Sequence, residues 1–119
     1  MIQPFLRTIE TEGECSLFWF GGVYSHAVRK LPARGDWRAN IPGETQFMAE
    51  APSRDAMEAA QSARARAPKD LLYVRIDLVL GDDGHWRVIE IEAIEPYFFL
   101  DLAPEGARVF VEAIAGVLA

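Results

Sequence analysis

Hydrophobic and polar positions alternate in two pairs of adjacent segments, each pair reading as a β-hairpin. The first pair, Glu14–Phe20 and Val23–Leu31, is rich in aromatic and β-branched residues. It flanks Gly21-Gly22, a dipeptide suited to a two-residue turn. The second pair covers 71–80 and 86–94, with "GDDG" at the turn. Two segments follow helical spacing instead. Ser53 offers an N-cap for a helix to about Arg66, with Ala56, Met57, Ala60, Ala63 and Ala67 as a shallow apolar face and Pro68 as its stop. Pro104 opens a second helix to about Leu118, with a stripe of Ala107, Phe110, Val111, Ile114, Val117 and Leu118. A short strand is predicted over 2–6, confined to an edge or end position by Pro4. Between the first hairpin and the first helix lies a loop of roughly twenty residues, a length usually found where a loop is functional or mobile. This order predicts an α+β fold, an antiparallel sheet with two flanking helices.

The second hairpin places charge where a plain solvent face does not need it. If Asp83-Gly84 forms a two-residue turn, Asp77 falls opposite Glu90 and Arg75 opposite Glu92. Leu72, Val74, Ile76, Leu78 and Leu80, with Ile89, Ile91 and Ala93, then form an apolar face directed at the core. Opposed side chains lie about 5 Å apart at Cβ, where like charges destabilise the sheet. Arg75 offsets part of three negative charges, and a hard divalent cation would offset the rest. The plain alternative is an exposed polar face with one cross-strand ion pair. A three-residue turn would shift the ladder by one and put Asp77 opposite Ile89. Paired carboxylates also serve glycoside hydrolysis, but that chemistry wants one raised pKa, and Arg75 should lower them.

Composition sets the outer limits. The chain has 119 residues, half of them hydrophobic, which suits one domain with a real core. A net charge of -6 argues against sequence-independent nucleic-acid binding. Four basic residues, Arg29, Lys30, Arg34 and Arg38, nevertheless fall within ten positions, either a solvated basic loop or a local anion site. Cys15 is the single cysteine, so an intrachain disulfide or a cysteine-based zinc site is excluded. His26 and His85 lack metal-ligand spacing, and Ser16 and Ser25 lack a triad context. Tyr97, Phe98 and Phe99 read as core or a packed wall, while Trp19 and Trp37 stay open as ligand neighbours. No apolar run approaches the roughly 18 residues of a membrane span, and the start of the chain does not read as a secretion leader. A cytoplasmic protein without a membrane or nucleic-acid partner is expected.

Arg75-x-Asp77 followed by Glu90-x-Glu92 resembles the metal-binding hairpin of the ATP-grasp ligases, whose usual pattern is Arg-x-Asp, then Glu-x-Asn and a nearby Pro. Here Glu92 stands where Asn is commonest, and Pro96 follows. "AVRKLPARGDWRAN" is similar to the segment of glutathione-synthetase-like and ribosomal-protein glutamate ligases that ends in Gly-Asp-Phe-Arg-x-Asn. "GECSLFWFGGVYSHAVRK" and "IEPYFFLDLAPEGARVFVEAI" look most like a branch that includes a ligase-like enzyme of cycloserine biosynthesis. The resemblance implies ATP as co-substrate and Mg²⁺ (or Mn²⁺) held by Asp77, Glu90 and Glu92. It implies catalytic roles for Arg75 and Arg38, and contacts to the nucleotide from Lys30, Arg38, Asn40 and Gln3. The partners it implies are ATP and a small-molecule carboxylate, joined to an amine or thiol through an acyl phosphate. It also implies that residues 1–119 form a single partial domain, the C-terminal part of that fold. On this reading the N-terminal domain and lid lysines are absent, and the fragment alone is inactive. The competing expectation is a non-catalytic α+β interaction module with a vestigial nucleotide site, its uncovered sheet face favouring homo-oligomers.

Overall fold

The computed structural model describes residues 3–119. Its elements are α1 (Ile9–Glu12), β1 (Glu14–Phe20), β2 (Val23–Leu31), β3 (Gln46–Glu50), α2 (Arg54–Arg64), β4 (Tyr73–Leu80), β5 (Trp86–Glu92) and α3 (Pro104–Leu118). The strands form one antiparallel sheet in the order β3-β2-β1-β4-β5. The α+β architecture read from the sequence is therefore the observed one. Both hairpins fall where the alternation put them. The β1–β2 turn uses Gly21 and Gly22 at φ 55° and 83°, the left-handed pair that a tight two-residue hairpin needs.

Three local expectations are corrected. The strand predicted over 2–6 does not form: residues 3–6 have no regular structure, and Ile2 lies outside the described residues. The short helix α1 follows instead, and the Thr8 hydroxyl donates to the Leu80 carbonyl, tying this segment to the end of β4. Within the long loop, Gln46–Glu50 pairs with β2 as an edge strand, which its shortness and its lack of alternation concealed. The stripe assigned to α3 is rotated. Val109, Phe110 and Ala113 pack on the sheet, whereas Val111, Val117 and Leu118 face solvent. Gly106 decides this rotation: it sits so close to His26 and Ser25 that a Cβ there would lie 2.7 Å from His26 Nδ1.

The sheet separates two apolar clusters. On one face Cys15, Leu17, Trp19, Ala27, Val74, Ile76 and Leu78 meet Ala56, Ala60 and Ala63 of α2. Ser53 caps that helix by accepting from the Ala56 amide at 3.2 Å. On the other face Phe18, Phe20 and Val28 meet α3 and the 97–102 segment through Phe98 and Phe99. That second face is apolar at the α3 end and charged at the other.

The β4–β5 hairpin reaches the expected pairs by an unexpected route. Arg75 lies opposite Glu92 and Asp77 opposite Glu90. Yet the turn holds three residues, Asp82, Asp83 and Gly84, since the Gly81 amide donates to the His85 carbonyl at 2.7 Å. Gly84 takes the left-handed position at φ 79°. The one-residue offset is cancelled by a bulge at Ile89, between the Leu78–Val88 and Asp77–Glu90 pairs. The sequence explains the bulge. A regular ladder would turn Arg87 toward the α2 core and Trp86 away from it. With the bulge, Trp86 packs on that core and carries the Arg29 guanidinium 5.4 Å from its ring centroid. Ile89, expected on the core face, instead lines a cavity on the charged face.

Candidate functional site

Strand alternation and the β2-β1-β4-β5 neighbours together build the charged end of the sheet. Glu14 and Ser16 project from β1, Lys30 from β2, Arg75 and Asp77 from β4, and Glu90 and Glu92 from β5. The Arg75 guanidinium lies among three carboxylates. Its Nη2 is 2.8 Å from Asp77 Oδ2, 3.3 Å from Glu90 Oε2 and 2.6 Å from Glu92 Oε2. Lys30, with no exposed surface, donates to Glu14 Oε1 at 2.5 Å and stands 3.7 Å from Asp77 Oδ2. Ser16 Oγ donates to Asp77 Oδ1 at 2.6 Å. Four carboxylates thus face two cations, a formal excess of two negative charges.

Protonation energetics follow that imbalance. Burial alone would raise the Asp77 carboxyl, but Lys30, Arg75 and the Ser16 hydroxyl hold it below the ordinary aspartate value. Glu14 is pushed up, by burial and then by the charge of Asp77, against the opposing pull of Lys30. Glu90 is also raised, by burial and by its interaction with Asp77. For Arg75, burial opposes the charged form, yet Asp77 and the neighbouring glutamates raise its value above the ordinary one.

Not all predicted site residues gather at one point. Asp77, Glu90, Glu92 and Arg75 come together. Among the described residues, however, no three acidic, histidine or cysteine side chains stand ready arranged for a metal ion; Arg75 lies between the carboxylates. Lys30 is beneath the surface rather than at it. Gln3, Arg38 and Asn40 line a cavity of about 520 Å³ with Glu14, Trp37 and Ile89. Arg38 is exposed there and already chelated by Asp36, Nη2 to Oδ2 at 2.6 Å. The Asp36 carboxyl is held far below its ordinary value, chiefly by its hydrogen bonds to Arg38. Asn40 also borders a second cavity, of about 800 Å³, which reaches Arg75 and Glu92 from the other side. The basic run Arg29–Arg38 does not act as one cluster. Alternation on β2 sends Lys30 to the charged face and Arg29 to the opposite one, where Arg29 pairs with Glu50 at 2.5 Å.

Glu14 and Ser16 were not singled out from the sequence. The signal was present as two polar residues at alternate positions in an otherwise apolar strand. Their relevance depends on β1 lying beside β4, with Ser16 opposite Asp77, a pairing between segments about sixty residues apart. Of the two tryptophans left open as ligand neighbours, Trp19 is core, and Trp37 borders the smaller cavity.

The relatives of this chain share the arrangement of elements. No protein-family profile matches the chain. It is 35% identical over 124 residues to the cycloserine biosynthesis protein DcsG of Streptomyces lavendulae, covering 97% of this chain and 41% of that protein. The crystal structure of D-cycloserine synthetase DcsG superposes with a TM-score of 0.75 at 31% identity, over 98% of this chain and 42% of that one. The ATP-grasp ligase PsnB, complexed with a precursor variant, Mg and ADP, gives 0.59 at 20% identity, over 87% of this chain and 32% of that one. The chain has the ATP-grasp fold. The fold likeness extends to D-alanine–D-alanine ligase of Bacillus anthracis complexed with ATP, at a TM-score of 0.56 and 19% identity, over 85% of this chain and 37% of that one. The chain spans about two fifths of the length of the cycloserine biosynthesis relative.

Proposed function

We propose that this chain contributes the metal- and nucleotide-binding face of an ATP-dependent carboxylate–amine ligase. The observation that carries the reading is the excess of two negative charges around Arg75 and Lys30, beside a cavity bordered by Gln3, Arg38 and Asn40. All the donors offered there are hard carboxylate oxygens, a set that fits Mg²⁺ (or Mn²⁺). Asp77, Glu90 and Glu92 would hold the ion, which would neutralise phosphate charge. Arg75, buried and permanently cationic, would orient and stabilise the transferring phosphoryl group. Lys30, locked between Glu14 and Asp77, keeps Asp77 ionised and aimed. Gln3, Arg38 and Asn40 would contact the nucleotide.

In the reaction, a substrate carboxylate oxygen bonds to the γ-phosphorus as the bond to ADP breaks. The nitrogen of an amine then bonds to the acyl carbon, the carbon–oxygen bond to phosphate breaks, and the amine proton leaves with phosphate. Phosphoryl transfer asks mainly for positioning and charge neutralisation, which Arg75 and an ion held by the carboxylates would supply.

Calorimetry of the 119-residue chain with Mg·ATP tests this directly. Binding that Asp77→Asn weakens about tenfold or more supports it. Equal heats from both proteins would refute the role of Asp77. The alternative, a vestigial site on an interaction module, draws on the Arg75 guanidinium lying where a cation would bind. It predicts no effect of Mg²⁺ on thermal stability, whereas the ligase reading predicts a rise that grows with concentration.

A further inference from the structure

The cavity of about 800 Å³ beyond Arg75 has a lining unlike that of the nucleotide side. Its charged groups are Arg75, Glu92, Glu95 and Asp101. Arg75 is committed to Asp77, Glu90 and Glu92. Glu95 and Asp101 are exposed and, among the described residues, make no ion pair or side-chain hydrogen bond. The remaining wall is mostly apolar, three aromatic rings with Pro42 and Leu102, and Asn40 at its border. The Tyr97 and Phe99 rings meet edge to face at 4.7 Å, and Phe47 lies 4.9 Å from Phe99. Tyr97 is 66% exposed, a large ring turned outward from the core.

We propose that this cavity is the subsite for a primary amine with an apolar body, held as its ammonium, which gives one proton to water before its nitrogen attacks as the nucleophile of the ligation. The proposal rests on the ligase reading and narrows it. Three carboxylates against one saturated guanidinium repel an incoming carboxylate, so the acid substrate is not placed here. A thiol carries no positive charge to reward two unpaired carboxylates. An ammonium group satisfies both: the acids take its N–H donors and the aromatic corner takes its charge and its carbon skeleton. Glu92 belongs both to this lining and to the Arg75 cluster, so an amine held here adjoins the acylation centre.

The wall is held in place rather than loose. His26 Nε2 and the Phe98 carbonyl are 2.8 Å apart, and Ser25 Oγ is 2.8 Å from His26 Nδ1. A neutral ring with its proton on Nε2 satisfies both contacts, donating to Phe98 and accepting from Ser25. The same ring stacks on Phe18, centroids 4.5 Å apart. This anchor fixes the segment on which Glu95 and Phe99 hold left-handed backbone angles of 55° and 51°.

Two-dimensional amide NMR of the 119-residue chain, titrated with benzylammonium, benzyl alcohol and benzoate, tests the subsite. Benzylammonium should shift residues 95–101 and bind at least about tenfold more tightly than either control. Glu95→Gln combined with Asp101→Asn should abolish that preference while leaving the rest of the spectrum in place. Tyr97→Leu should weaken benzylammonium several-fold without admitting benzoate. Equal or tighter binding of benzoate, or an ammonium preference unchanged in the double variant, would overturn the proposal. Mg·ATP binding measured on the same samples separates the two readings. Nucleotide binding without ammonium preference sinks the subsite alone, and ammonium preference without nucleotide binding sinks its link to ligation.

Discussion

Replacing Lys30 with methionine is the sharpest perturbation of the buried charge cluster. The substitution keeps most of the side-chain volume and removes the cation shared by Glu14 at 2.5 Å and Asp77 at 3.7 Å. Both acids are almost wholly buried, at 5% and 1% exposure, so water does not replace the lost partner. Breaking a buried pair in this way costs about 3–5 kcal/mol, a large share of the roughly 5–15 kcal/mol that hold a domain together. Glu14→Gln should cost less, about 1–2 kcal/mol, because the amide oxygen still accepts from Lys30 and Lys30 keeps Asp77. In the double variant Asp77 retains Arg75 and Ser16, so about 2 kcal/mol of the combined loss should be recovered. Urea unfolding followed by tryptophan fluorescence measures all four corners of this cycle. A Lys30→Met cost under about 1 kcal/mol, or two losses that simply add, would refute the idea that Lys30 and Glu14 act as a coupled buried pair.

Other measurements probe the frame around the site. Gly13→Ala should cost roughly 2 kcal/mol or more, because its φ is 69° and a Cβ would lie 2.2 Å from the Lys30 carbonyl oxygen. Gly22→Ala, at φ 83° but in open space, should cost only about 1 kcal/mol, and equal losses in urea would contradict the steric argument. Burial lowers His26 below its ordinary 6.5, against the weaker opposing effect of the Phe98 carbonyl. The unfolded chain therefore takes up a proton first. The contribution of His26 is complete above about 6.5 and falls as pH drops toward its folded value. Melting temperatures between pH 7.5 and 5.5 should thus decline more steeply in wild type than in His26→Gln, and parallel declines would count against it. Burial, then the charge of Glu50, pushes the Cys15 thiol up to about 12. A thiol reagent at pH 8 should label it only after unfolding, and rapid labelling of the native protein would show that β1 opens.

Much of the architecture was legible because both periodicities were strong. The two hairpins, the Ser53 cap and the helix from Pro104 all rest on local signals, and each lies where those signals put it. The edge strand Gln46–Glu50 has only three apolar residues, without alternation, since one of its sides has no neighbour and its residues are largely exposed. The apolar stripe on α3 was misjudged because helical spacing cannot say which of two apolar faces docks. A single close approach, Gly106 against His26, makes that choice. At the candidate site, the Asp77–Glu90 and Arg75–Glu92 pairs were readable from one hairpin. Glu14 and Ser16 were not, because the β1–β4 pairing is long-range and no turn announces it. Lys30 could be assigned to a strand, but its complete burial depends on three strands and the 97–102 segment closing over it.

The acids around Arg75 sit on unequal foundations. Glu14 and Asp77 grow from strands bonded on both sides, while Glu90 and Glu92 grow from β5, which has a neighbour on one side only. Peeling that outer ribbon would remove half the negative charge and leave the central scaffold standing. On the proposed reading, affinity for a cation would therefore vanish well before the protein melts, and a sample that looks folded by its overall spectrum would be blind to metal.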